Sequence, residues 1–67
     1  MKVRINGESI DIEASISLSE LLQRMTIPSK GVAVELNKQV ISSKEPWGNI
    51  VLKEGDTLEI VHAVGGG

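Results

Sequence analysis

The order of apolar and polar residues divides the chain into short segments of different period. From Met1 to Asn6 the two classes alternate, with Met1, Val3 and Ile5 on one side and Lys2, Arg4 and Asn6 on the other, the period of a strand with one wet face. Asn6-Gly7 follows, and these are the residues most tolerant of the positive φ that a tight type I′ turn requires. Ile10 and Ile12 then oppose Asp11 and Glu13. The pattern predicts a β-hairpin with about six residues per strand.

After Ser15 the period lengthens. Leu18, Leu21, Leu22 and Met25 share one face at helical spacing. Ser17 and Glu20 have the S-x-x-E spacing of a capping box, and Ile16 and Leu21 occupy the two positions of a hydrophobic staple. A helix is predicted from Ser17 to near Thr26, where Pro28 disfavours helical geometry at Ile27. Gly31 opens a strand in which Val32, Val34 and Leu36 point inward and Glu35 outward, and Asn37-Lys38 turns into a short strand at Val40 and Ile41. Residues 42–49 read as loop around Trp47, whose large ring suits the open end of a small core. Residues 50–52 read as a brief edge strand, 53–56 as a turn, and 57–64 as a final strand that is apolar on both faces near its end.

One helix among these strands covers one sheet face. The most apolar strand, the last, belongs in the middle, beside the first and parallel to it. The expected fold is α+β, a β-grasp with a mixed sheet of four to five strands against one main helix. It is expected to occupy residues 1–64 as a single domain, with 65–67 as a flexible glycine tail. The uncovered sheet face should be polar except where something docks. Val61 and Ala63, with Val64 leading into the glycines, are the candidates for docking.

Composition narrows the function. Sixty-seven residues, 40% apolar and 24% charged, suit one small packed domain. There is no cysteine, so neither disulfides nor thiolate metal sites are expected. The net charge is −2 and the basic residues are scattered, which argues against nucleic acid as a partner. No apolar run approaches a membrane span, and the start lacks the core of a signal peptide; a cytoplasmic protein without membrane contact is expected. Conventional catalytic machinery is missing. His62 is the single histidine and has no cysteine to join it at a metal. Ser15, Ser17 and Ser19 surround a helix start, and there is no phosphate-binding glycine loop. The chain is expected not to be an enzyme and to bind neither metal nor cofactor itself.

The chain ends in Val64-Gly65-Gly66-Gly67. Three glycines offer no side-chain chemistry, so the reactive group there is the terminal carboxylate of Gly67. A glycine run is also what plain chain slack looks like, and composition alone does not separate the two.

The element order joined to the Gly66-Gly67 ending resembles the ubiquitin-like family, and within it the small ThiS-like sulfur carriers of thiamine biosynthesis. The likeness runs through the Asn6-Gly7 turn, the Leu21-Leu22 helix, Val34-Glu35-Leu36-Asn37, the Gly55-Asp56 turn and the stretch from Glu59 to Gly67. It implies that an adenylating, E1-like partner enzyme uses ATP to activate the Gly67 carboxylate, and that sulfur then displaces AMP to leave a thiocarboxylate. It further implies that Gly65 and Gly66 pass into the partner's active site, that thiazole synthase is the acceptor, and that a sulfur-donor protein is a possible further partner. Glycines suit a narrow channel because they lack Cβ. Ordering three of them costs roughly 3 to 6 kcal/mol, which docking has to offset. A molybdopterin-type carrier and a protein modifier joined through Gly67 stand as alternatives.

Overall fold

The alternating segments form strands and the segment of longer period forms a helix. The computed structural model describes residues 1–28, 30–42 and 45–62, with the backbone alone of His62. In order the elements are β1 (Lys2–Ile5), β2 (Glu8–Asp11), α1 (Leu18–Arg24), β3 (Val32–Leu36), β4 (Gln39–Ile41), a 3-10 turn (Trp47–Asn49) and β5 (Thr57–His62). The five strands make one mixed sheet in the order β2-β1-β5-β3-β4. As the apolar pattern requires, β5 is central, parallel to β1 and antiparallel to β3.

The first hairpin turns through Asn6 and Gly7 at φ of 49° and 87°, the left-handed geometry that both residues tolerate. Its strands are four residues each, shorter than predicted, because Asn6 belongs to the turn. Hydrogen bonds in both directions between Met1 and Ile12 carry the pairing one step further. The second hairpin, from β3 to β4, turns through Asn37 and Lys38, both also at positive φ.

Helix α1 begins as its sequence dictates. The Ser17 hydroxyl accepts the Glu20 N–H at 3.2 Å, and the Glu20 carboxylate accepts the Ser17 N–H at 3.1 Å. The helix ends for a different reason from the predicted one. Thr26 takes a φ of 57°; its N–H donates to the Gln23 carbonyl and the Ile27 N–H reaches back to that of Leu22 at 2.8 Å. This is a Schellman turn with a threonine where glycine is usual. The chain has therefore left the helix before Pro28 can act on it.

Leu18, Leu21 and Leu22 of α1 pack with Val3, Ile5, Val32, Val34, Leu58 and Ile60 from the inner sheet face. Trp47 joins this core, and its indole N–H donates to the Ser42 carbonyl at 3.1 Å, so the ring is buried without leaving its polar edge unpaired. The expectation of an edge strand at 50–52 is corrected. The edges of the sheet are β2 and β4. Val51 instead makes an isolated bridge to Ser17, the Leu18 N–H donates to the Ile50 carbonyl and the Leu52 N–H to that of Ile16. This pairing ties the start of the helix to the loop and buries Leu52.

Candidate functional site

Two arrangements hold β5, the strand that leads to the glycines. On one side the β3 ladder runs from Leu58, opposite Leu36, to His62, opposite Val32. On the other, β1 reaches only as far as Ile5 opposite Leu58. Beyond that point Asn6 takes over. Its N–H donates to the Leu58 carbonyl at 2.9 Å, its Oδ1 accepts the Ile60 N–H at 2.7 Å and its Nδ2 donates to the Ile60 carbonyl at 3.2 Å. A carboxamide thus imitates one more residue of backbone ladder after the chain itself has turned away.

The sheet face away from α1 is open. Strand register places Lys2, Arg4, Ser9, Asp11 and Thr57 on it, and toward the β4 edge Glu35 beside both Val40 and Glu59, with Ala33 beside Val61. Ala33, Val34, Glu35, Val40, Glu59 and Val61 line a shallow depression of about 60 Å³. Val40 and Val61 are 72% and 63% exposed, far more than isolated β-strand valines facing a core. The face is polar elsewhere, as the lack of a second helix predicts.

Among the residues singled out in the sequence, Val61 stands on this face, six residues before Gly67. Ala63, Val64, Gly65, Gly66 and Gly67 lie outside the described residues. Sequence reasoning missed the company Val61 keeps. Glu35 reads as outward-facing and Val40 as part of a short strand, but their placement beside Glu59 and Val61 depends on the register between separate strands.

The polar groups on the helix side serve the fold. Hydrogen bonding from the Ser17 backbone N–H, and then from its hydroxyl, holds the Glu20 carboxyl below its ordinary value; this stabilises a helix start and does not poise an acid for catalysis. Among the described residues no group of three His, Cys, Asp or Glu is placed to hold a metal ion, and no helix is long and apolar enough to cross a membrane.

The profile of the ThiS family matches residues 3–67. The chain belongs to the ThiS family. It is similar to the sulfur carrier protein ThiS of Bacillus subtilis, with 35% identity over 66 residues that cover 97% of this chain and 98% of that one. Its fold superposes on the crystal structure of the thiamine biosynthesis protein (ThiS) of Geobacter metallireducens with a TM-score of 0.82 at 30% identity, covering both chains fully. The ubiquitin-like β-grasp assignment therefore stands. The whole chain is also 43% identical to part of a thiazole synthase of Magnetococcus marinus, and it spans only 20% of that protein's length. ThiS-like sequence thus occurs both as a separate small protein and as a segment of a larger one.

Proposed function

We propose that this chain is a sulfur carrier of thiamine biosynthesis whose functional group is the Gly67 carboxylate. A carboxylate resists nucleophiles because of its charge, so activation has to come from a partner. The Gly67 carboxylate oxygen attacks the α-phosphorus of ATP in that partner's active site, pyrophosphate leaves, and an acyl-adenylate results. A sulfide equivalent from a donor then attacks the acyl carbon, AMP leaves, and the carbonyl carbon keeps sulfur in place of oxygen. The thiocarboxylate delivers that sulfur to thiazole formation. The chain is a co-substrate throughout, ATP belongs to the adenylating enzyme, and Gly65 and Gly66 are the segment that passes into its active site.

The observation that carries this reading is membership of the ThiS family over residues 3–67, a match that takes in the glycines. The likeness to a thiazole synthase along the full chain supports the thiazole acceptor over a molybdopterin one. Covalent connection of a carrier-like segment to its acceptor would raise the effective concentration of one for the other, which is the economy expected of two parts that must meet. Val61, with Ala63 and Val64 after it, is the proposed docking contact, placed on the open face where covering it disturbs none of the core.

The test is intact mass. The chain is incubated with ATP, the adenylating enzyme and a sulfur source, and the C-terminal peptide is sequenced by fragmentation. Replacement of one oxygen by sulfur at Gly67 is expected; an unchanged mass with an active enzyme would sink the proposal.

A further inference from the structure

Glu35 and Glu59 are register partners on β3 and β5, side by side on the open face. Like charges directly opposite one another in a sheet are destabilising. Among the described residues no cation pairs with either carboxylate. The one ion pair among the described residues joins Arg24 to Glu13; Arg4, one row away opposite Thr57, pairs with neither glutamate. Next to this acidic pair stand the exposed Val61, Ala33 and Val40.

The two features constrain each other. Covering the valines would gain apolar burial, but the same act would strip water from the carboxylates that line the depression. Burying charge is costly unless the charge is paired and hydrogen-bonded. A neutral apolar surface is therefore a poor occupant. A surface that carries a cation over the glutamates and apolar side chains over the valines satisfies both, and the planar fork of a guanidinium is suited to two carboxylates at once.

We propose that the adenylating enzyme docks on this face through an arginine spanning Glu35 and Glu59, flanked by apolar side chains against Val61, Ala33 and Val40. This rests on the reading that Gly67 is the group it activates. Glu59 stands eight positions before Gly67, so the arginine lies within about 30 Å of that enzyme's nucleotide site, the reach of the extended chain. The acidic pair is then a specificity element: it repels surfaces that lack the cation, and its repulsion is relieved only in the complex.

The experiment is calorimetric titration of the purified adenylating enzyme with the wild-type chain, Glu35→Gln, Glu59→Gln and the double variant, at low and high salt. Each single substitution is expected to weaken binding by about tenfold or more. The double variant should bind little worse than the weaker single one, because one cation serves both carboxylates. Wild-type affinity should fall with salt while that of the double variant stays nearly level. Unfolding midpoints at or above the wild-type value would exclude loss of fold as the cause. Binding by both single variants within about twofold of wild type, or a salt-independent wild-type affinity, overturns the proposal. Intact mass at saturating enzyme separates the two readings. Sulfur gained at Gly67 with unaltered affinities leaves the carrier function standing without this interface, whereas the expected affinity losses without sulfur gain leave the interface standing without that chemistry.

Discussion

At the scale of single residues, Asn6 carries more than its place in a turn requires. Any residue tolerant of positive φ would close the hairpin, but the carboxamide also makes two hydrogen bonds to Ile60. Glycine at this position keeps the backbone geometry and removes only the side chain, so the comparison isolates those bonds. Asn6→Gly is expected to lower stability by about 1 to 2 kcal/mol, read from urea unfolding followed by the fluorescence of Trp47, the single tryptophan. The Ile60 amide, which has lost its acceptor, should exchange with deuterium faster, while the Val34 amide on the same core should keep most of its protection. Equal loss at both amides would mean that Asn6 acts on global stability alone. The Asn-Gly pair made the turn legible from sequence. The bonds to Ile60 were not legible, because they join residues that only the parallel alignment of β1 with β5 brings together.

At the scale of elements, the two ends of α1 show what local sequence can and cannot specify. The start is written in the spacing of Ser17 and Glu20, and both halves of the capping box form. Ser17→Ala should cost about 1 kcal/mol. Glu20 adds a dependence on pH with a definite sign. Its carboxyl is held below the ordinary value by the Ser17 N–H, so the folded-state pKa is lower than the unfolded one. The contribution is present above the unfolded value and is lost as pH falls through the folded one. Glu20→Gln can still accept the Ser17 N–H but does not titrate, so the gap in urea midpoint between the two proteins should narrow on acidification. A gap that widens in acid would contradict this account. The helix end was legible in position but not in cause, because a β-branched threonine gives no hint of left-handed backbone. Thr26→Gly relieves that conformation and should raise stability by about 0.5 to 1 kcal/mol. Gln23→Gly, inside the same helix, should lower it by about 1 kcal/mol. The segment 50–52 was misread because three apolar residues look alike whether they extend a sheet or plug the end of a core; pairing with residues 16–18 decided between them.

At the scale of the whole molecule, β5 divides the labour of the protein between its faces. Leu58 and Ile60 belong to the core under α1, while Glu59 and Val61 stand on the open face. The alternation that assigns these faces was legible, and so was the central place of the strand, because a strand apolar on both sides has few other positions in a sheet covered by one helix. The partners of Val61 on that face were not, since register is a property of the assembled sheet. The division makes stability and function separable by substitution along one strand. Leu58 is fully buried, and Leu58→Ala should cost about 2 to 5 kcal/mol, enough to threaten folding of so small a domain. Val61→Ser removes an exposed side chain and should change stability by no more than about 0.5 kcal/mol. Under the proposed docking role, its effect should fall on transfer, raising the concentration of adenylating enzyme needed for half-maximal thiocarboxylate while leaving the yield at saturation intact. Gly66→Val should behave in the opposite way. It leaves the proposed docking face whole, so binding is expected to persist, but a branched side chain in the segment proposed to pass into the active site should lower the rate at saturation by about a hundredfold or more. Rates measured against enzyme concentration for the two variants check both claims. If Val61→Ser lowers the saturated rate as Gly66→Val does, docking and access are not separate functions of this chain, and the assignment of Val61 to the surface that partners hold is wrong.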